Sequence, residues 1–255
     1  MTGRKLYILR AAGLLLAWAL LLLLVFLARV WQGERKLREP GAYLSGLAEP
    51  LPDPQWVSWN GKPYEYREGL INILFLGIDG RGKAEESTAI GFGAKADCII
   101  LATLDTKEHT LAFLNISRDS VTPCRWFDST GKEIGLYDYQ LGLQYTMGDG
   151  LETSCEYMEE AVSRMLGGIP IHGYAALYWG GVAALQEETG PVTVYVPEEL
   201  HELDPFHFLE YGEMELTPEQ AKIFVQGRDI TKTGSNEIRL QRQQEYMRAL
   251  YEKLK

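Results

Sequence analysis

From Ala11 to Ala28 the chain runs without a charge and is dominated by leucine. As a helix rising about 1.5 Å per residue, this run nearly crosses a hydrocarbon core of roughly 30 Å, and Val30 and Trp31 can extend it. A soluble protein rarely buries a helix that is apolar on every face. The segment therefore predicts a transmembrane anchor at residues 11–31, preceded by a short N-terminus at 1–10 carrying Arg4, Lys5 and Arg10. A cleaved signal peptide is the competing reading, because those charges would make an n-region. Against it, the run is longer than a usual h-region, and its end, VFLARVWQGERK, offers no convincing small-x-small cleavage site. Arg29, Arg35, Lys36 and Arg38 compete with the N-terminal charges for the inner side. A cytoplasmic N-terminus followed by an exported domain is still the simpler topology.

With the anchor subtracted, the 255-residue chain keeps enough length for one domain with a substantial core. A formal net charge of −10 argues against non-specific binding to nucleic acid, since no excess of Lys or Arg is available for phosphates. Any anion site must be local, built from a few positioned arginines. Cys98, Cys124 and Cys155 lack zinc-site spacing. Cys98 lies beside the apolar run IILATL and reads as core, while Cys124 and Cys155 are a candidate disulfide if the domain is exported.

Residues 32–68 are rich in Pro, Gly and charge and read as a stalk, whose Trp56, Trp59, Tyr64 and Tyr66 could supply a first strand to a domain at 69–255. Leu70 to Ile78, LINILFLGI, suits a central strand buried on both faces. It ends at Asp79-Gly80-Arg81-Gly82, a carboxylate and a guanidinium in a glycine-rich loop where open α/β sheets build their ligand sites, although an ordinary solvated turn reads the same way. Asp97 to Leu104 and Thr110 to Ile116 form a hairpin across a short polar turn. Since antiparallel neighbours exchange ends, Asp97 and Arg118 share one edge of the sheet.

Leu151 to Leu166 has helical spacing and stops at Gly167-Gly168. Ile169 to Tyr178 reads as a strand, Gly181 to Glu188 as a helix and Val192 to Val196 as a strand. Thr217-Pro218-Glu219-Gln220 is a helix start with Thr as N-cap and Gln at the third position, running to about Gln226. Ser235 or Asn236 could cap a last helix, on which Arg239, Arg242 and Gln243 occupy i, i+3 and i+4 and share adjoining parts of one face. Leu240, Gln244, Met247 and Leu250 define other faces, including a packing seam, and a solvated arginine-rich helix is the competing reading. The expected fold class is α/β, an α-β-α sandwich with a mixed central sheet covered by helices, plus the one transmembrane helix.

Taken together, NILFLGIDGR (72–81), KADCIILATLD (95–105), ISRDS (116–120), LTPEQAKIFVQGRD (216–229) and RLQRQQ (239–244) resemble the LytR-CpsA-Psr family of bacterial cell-wall proteins over nearly all of residues 70 to 250. The resemblance implies a phosphotransferase on the outer face of the bacterial cell membrane. It would move a glycopolymer, such as a teichoic acid or capsular polysaccharide, from an undecaprenyl-pyrophosphate carrier to a peptidoglycan hydroxyl. Its partners would be that lipid-linked donor, the peptidoglycan acceptor and the membrane, with Mg²⁺ as cofactor. Carried onto this sequence, Arg81, Lys95, Arg118, Arg228, Arg239, Arg242 and Gln243 become candidates for pyrophosphate, whose oxygens suit the paired donors of guanidinium groups. Asp79 and Asp97 become candidates for Mg²⁺, and Arg118, Asp119 and Arg239 for catalysis. The helix at Leu151 to Leu166 and the strand at Tyr174 to Trp179 are candidates to line a groove for the lipid tail.

The sequence also departs from the family pattern. Lys95 stands for the usual arginine, Ser117 for proline, Gln226 for the first arginine of an arginine-x-arginine pair, and Asn236 for aspartate. If that aspartate normally helps activate the acceptor, Glu237, Asp229 or Asp119 must replace it. The alternative is a non-catalytic relative that binds polyprenyl phosphate or scaffolds wall assembly.

Overall fold

Asn60 and Gly61, both at positive φ (49° and 71°), make the two-residue turn of a small hairpin between β1 (Trp56–Trp59) and β2 (Lys62–Glu65). Asn-Gly is the preferred pair for such a turn, because both positions need the left-handed region. The hairpin occupies the end of the stretch that composition alone reads as a stalk. The computed structural model describes residues 56–80, 86–87, 89–203, 208–229 and 231–255. The expected anchor at 11–31, the N-terminus before it and Arg81 lie outside the described residues. Among the described residues, no helix is long and apolar enough to cross a membrane.

The central sheet begins with β3 (Leu70–Ile78), β4 (Ala96–Asp105) and β5 (Thr110–Ile116), paired antiparallel as a meander. A second hairpin follows, β6 (Val121–Phe127) with β7 (Glu133–Gln140). It leads through a four-residue helix α1 (Leu141–Gln144) and a 3₁₀ turn at Tyr145–Met147 into α2 (Glu152–Met165). Then β8 (Gly173–Tyr178) adds to the sheet parallel to β3, giving the order β5-β4-β3-β8. The rest comprises α3 (Trp179–Thr189), β9 (Val192–Val196), α4 (Glu198–Leu203), β10 (Gly212–Leu216), α5 (Pro218–Gln226) and α6 (Ser235–Leu254), with β9 and β10 paired antiparallel. This is a mixed α/β fold.

One face of the sheet is closed. Leu74, Leu76 and Ile78 of β3 join Ile99 and Leu101 of β4 against Met158, Ala161 and Val162 of α2, with Leu141 and Tyr145 beneath them. Each fully buried side chain of this kind contributes about 1.5–3 kcal/mol by leaving water. Gly167 and Gly168, at φ 80° and 88°, stop α2 as expected, and the Gly168 N–H reaches back to the Ser163 carbonyl at 2.8 Å. A buried ion cluster ties the β6–β7 hairpin to α2. Arg125 donates to both oxygens of Glu160 (2.6 and 3.0 Å) and to Glu133 (2.7 Å), while its guanidinium lies 5.0 Å from the Tyr157 ring centre.

The second face is different, and it corrects the expectation that β3 is buried on both sides. Along β3 burial alternates, with Phe75 and Gly77 only half-buried between fully buried neighbours. Their side opens on a cavity of about 370 Å³ enclosed by Ile100, Leu177, Val182, Tyr246, Met247 and Leu250 among others. The nearly continuous apolar sequence of β3, interrupted by Asn72, thus has two causes: one side fills a core, and the other lines an apolar cavity. Beyond the cavity a second core forms from α3, β9, β10, α5 and α6 around Val194, Leu216, Phe224 and Tyr246.

α5 starts with the expected capping box, in which the Gln220 N–H donates to Thr217 Oγ1 (3.3 Å) and the Thr217 N–H donates to Gln220 Oε1 (2.8 Å). The start of α6 differs from expectation. Gly234, at φ 81°, is its N-cap, and neither Ser235 nor Asn236 caps it through a side chain. The Asn236 amide is engaged elsewhere, as described below. The three cysteines are free buried thiols, so Cys124 and Cys155 form no disulfide.

Candidate active site

Asp97 occupies an irregular point in the sheet. Gly77 pairs with Cys98 and Ile78 with Ala96, so Asp97 is the extra residue of a β-bulge. The consequence is visible in the packing. Ala96 belongs to the same closed core as Ile99, three residues on, whereas Cys98 and Ile100 line the cavity on the other side. Strict alternation would put Ala96 with Cys98; the bulge shifts the phase and sends both Asp97 and Cys98 towards α6.

There Asp97, only 8 % exposed, meets two arginines. Arg118, just beyond the end of β5, donates through Nη1 to Asp97 Oδ1, and Arg239 of α6 donates through Nη1 to Oδ2 at 3.3 Å. Arg239 Nη2 donates to Asn236 Oδ1 at 2.7 Å, and Asn236 Nδ2 donates to Asp119 Oδ2 at 3.3 Å. Asp119 Oδ1 lies 3.5 Å from Arg118 Nε, which closes a ring of five side chains: Asp97, Arg118, Asp119, Asn236 and Arg239. Gln140, at the end of β7, donates to Asp119 Oδ1 at 2.5 Å. Gly142 lets this segment sit so close, since a Cβ there would lie 2.8 Å from the Ala96 carbonyl oxygen and 3.0 Å from Arg118 Cβ.

Arg239 is the most constrained member. It is 3 % exposed, and its Nε is buried without a partner. Burial, then the nearby charges of Arg228 and Arg118, push its pKa down to about 10. Three guanidinium groups therefore share one locality with one buried carboxylate between two of them. Such a surplus of donors and positive charge suits an anion with several oxygens.

The expected candidates separate at this point. Arg118, Asp119, Arg239, Asp97 and the exposed Arg228 come together. Arg242 and Gln243 do not join the ring. Arg242 donates to the carbonyls of Phe224 (3.1 Å) and Gly227, and Gln243 Nε2 to that of Val225 at 3.0 Å, so both satisfy the open C-terminal end of α5. The shared helix face is as expected, but those donors are used to anchor the loop that carries Arg228.

Asp79 follows β3, and its Oδ1 accepts the Lys95 N–H at 2.6 Å while its own N–H reaches the Lys95 carbonyl at 3.0 Å. Lys95 thus enters through its backbone. Asp79 and Asp97 mark the same end of the β3–β4 pair. Among the described residues no group of three or more His, Cys, Asp and Glu side chains forms a cation cage. Asp97 accepts from Arg118 and Arg239 on its two oxygens and Asp79 from the Lys95 N–H on Oδ1, so Asp79 Oδ2 is the oxygen free of these bonds. Mg²⁺, which keeps several waters and needs only one or two carboxylates beside substrate phosphates, is compatible with that set once the arginines turn to an anion.

The apolar cavity adjoins the ring through adjacent residues, Asp97 in the ring and Cys98 in the cavity wall. Burial pushes the Cys98 thiol up to about 12 despite the opposing charge of Arg239. Ala175, Leu177 and Trp179 line the cavity, as expected for that strand. The helix at 151–166 does not, because α2 covers the opposite face; α3 and α6 take its place.

The LytR_cpsA_psr family model matches residues 54–255, which include every element described above. The chain belongs to this family. The curated Bacillus subtilis (strain 168) protein polyisoprenyl-teichoic acid–peptidoglycan teichoic acid transferase TagV is 28 % identical over 189 residues, covering 72 % of this chain. The chain spans 44 % of that relative's length. Among solved structures, TagT bound to LIIa-WTA superposes with a TM-score of 0.55 at 23 % identity, over 74 % of this chain and 66 % of TagT. The LytR-CPS2A-psr family protein YwtF (TagT) with bound octaprenyl pyrophosphate lipid gives 0.53 at 21 % identity, over 78 % of this chain and 70 % of that one. These likenesses establish the fold.

Several members of the site are not evident from sequence. Asn236 stands out as a departure from the family pattern, but Gln140 and Gly142 carry no such mark. The Asn60-Gly61 turn was the available signal for the first hairpin.

Proposed function

We propose that this protein is a membrane-anchored phosphotransferase that moves a glycopolymer of the teichoic acid or capsular type from an undecaprenyl-pyrophosphate carrier to peptidoglycan outside the cell. The observation that carries this reading is the direct adjacency of a three-arginine anion site to an apolar cavity of about 370 Å³. A polyprenyl pyrophosphate has the same two parts joined at one bond. The name of TagV supports the reaction class, and the octaprenyl pyrophosphate in a structural relative supports the ligand class.

In this reading the prenyl chain enters the cavity beside Cys98, and its pyrophosphate lies against Arg118, Arg228 and Arg239, with Arg81 and Lys95 in reserve. Asp79 and Asp97 would hold Mg²⁺, which when bound would neutralise charge on the phosphate oxygens. An acceptor hydroxyl attacks the sugar-bearing phosphorus in line. The new P–O bond forms as the bond to the distal phosphate breaks, and polyprenyl phosphate leaves with its electron pair. Arg118 and Arg239 stabilise the charge that develops, and positioning supplies most of the remaining rate. The hydroxyl proton goes to Asp119, whose carboxylate is the acidic group of the ring open to solvent. Asn236 holds Asp119 from behind by donating a hydrogen bond, which an aspartate at 236 could not do. An anchor at 11–31 would keep the enzyme at the outer leaflet, where tethering raises the effective concentration of the donor.

The test is a transfer assay with the full chain in detergent micelles, a short lipid-pyrophosphate-glycan donor, peptidoglycan fragments and Mg²⁺. Wild type should transfer glycan, and Arg118→Ala should lose on the order of 10²–10³-fold in rate, as for loss of a donor that stabilises transition-state charge. Donor binding without transfer would instead identify a lipid-holding scaffold.

A further inference from the structure

A second cleft, of about 250 Å³, shares no lining residue with the apolar cavity and takes no part in the mechanism above. Its floor and walls include Trp126 and Phe127 of β6, Asp128, Tyr139 of β7, and Ile90 from the loop before β4. The Trp126 and Tyr139 rings stand edge to face, 4.6 Å apart at 70°, and so offer flat aromatic surface in two orientations. Asp128 spends one oxygen, Oδ1, on Thr130 (N–H 2.8 Å, hydroxyl 2.6 Å) and the Lys132 N–H (3.1 Å). Its other oxygen is left to accept from a ligand hydroxyl.

This cleft is wired to the catalytic ring by one short segment. Tyr139 precedes Gln140, which donates to Asp119. The Leu141 N–H donates to the Ser120 carbonyl at 2.8 Å, the Gly142 N–H to the Arg118 carbonyl at 2.9 Å, and Leu143 lines the cleft again. The facing loop is pinned as well, through the Gly91 N–H to the Thr146 carbonyl at 2.8 Å. A ligand in the cleft is therefore held at a fixed offset from Asp119.

Its chemistry disfavours an anionic polymer. Among the described residues, the one charged side chain lining the cleft is acidic, and the ring arginines are absent from its wall. Flat aromatic faces with a carboxylate acceptor, in a space below the roughly 300–1,000 Å³ of a drug-sized pocket, suit a single uncharged sugar ring. Resting on the phosphotransferase reading, we propose that this cleft seats one pyranose ring of the acceptor, the amino-sugar glycan strand of peptidoglycan, at a subsite away from the sugar whose hydroxyl reacts at Asp119.

The test uses the full chain in micelles with a peptide-free β-1,4-linked N-acetylglucosamine hexamer, followed by calorimetry, and with the transfer assay run in parallel. The hexamer should bind wild type, and Trp126→Leu and Tyr139→Ser should each weaken it about tenfold, the scale of one aromatic contact. In transfer, both variants should raise KM for the acceptor while leaving KM for the donor unchanged. Arg118→Ala should keep hexamer binding while losing transfer, which separates this cleft from the reaction itself. Hexamer binding that depends on Trp126 in a protein without transferase activity would overturn the phosphotransferase reading and leave the sugar cleft standing. Absence of hexamer binding, equal binding by all variants, or tighter binding of an anionic wall polymer at this cleft would overturn the assignment.

Discussion

Asp97→Asn keeps the shape of the side chain at the centre of the ring and removes its charge. Arg239, 3 % exposed, would then have no anionic partner for Nη1 while Arg118 and Arg228 remain close by. Removing one member of a buried ion pair costs about 3–5 kcal/mol, because the other charge stays desolvated. Arg118 is one-fifth exposed in its side chain (21 %), so water compensates part of its loss and places the expected cost near the lower end, about 3 kcal/mol. For a domain of about 150–250 residues each kcal/mol moves Tm by about 2–4 °C, which predicts a drop of roughly 6–12 °C. Thermal unfolding of the full chain in micelles reads this directly. Inorganic pyrophosphate should then raise Tm more in the variant than in wild type, since the anion supplies the charge that Asp97 supplied. A drop under about 2 °C, or pyrophosphate stabilising wild type more, would refute the view that Asp97 balances the arginines in the resting ring.

Three further outcomes are expected. Ala175→Trp, which puts a large ring into the cavity opposite Phe75, should weaken binding of an octaprenyl pyrophosphate by at least about tenfold while leaving inorganic pyrophosphate binding intact. Equal loss of both ligands would show that the variant perturbs the fold instead. Burial first, then Glu156 and Glu160, pushes the Glu159 carboxyl up to about 8. Its folded pKa exceeds its unfolded value of about 4.3, so the stability it contributes is complete below that value and is lost as pH rises through 8. Glu159→Gln should therefore gain in urea midpoint over wild type between pH 5 and 8.5, and parallel pH profiles would sink the assignment. Asn236→Asp sets a carboxylate where an amide now donates to Asp119 at 3.3 Å, replacing a hydrogen bond by a like charge. Transfer by the variant should fall about tenfold, since Asp119 loses its amide donor, and an unchanged rate would remove Asn236 from the positioning of Asp119.

What could be read from sequence was local. The β4–β5 hairpin, the capping box at Thr217 and Gln220, and the common face of Arg239, Arg242 and Gln243 all follow from period and spacing. So did the nearness of Asp97 and Arg118, since strand pairing fixes which ends meet. The β6–β7 hairpin was missed because Pro123 and a turn without Asn-Gly disguise it, and its Arg125 is paid for by Glu160 far along the chain. The duties of Arg242 and Gln243 depend on where the end of α5 docks, which no spacing within α6 reveals. Asn236 reads as a helix cap by type, and only the approach of Asp119 from another element redirects it.

The bulge at Asp97 links these levels most tightly. Consecutive residues of a regular strand face opposite sides, so a polar site and an apolar cavity on one face would normally begin two residues, or about 7 Å, apart. With the bulge, Asp97 and Cys98 both turn towards α6, and the change from charged to apolar surroundings occurs across one peptide bond. A lipid pyrophosphate makes the same change across one C–O bond. Gly77, opposite the bulge, completes the fit, since a Cβ there would stand 2.7 Å from the Cys98 Cβ and force the strands apart at the mouth of the cavity. The two ends of the site are therefore brought into register by backbone geometry, and the arginines need only be delivered to a boundary that the sheet has already drawn.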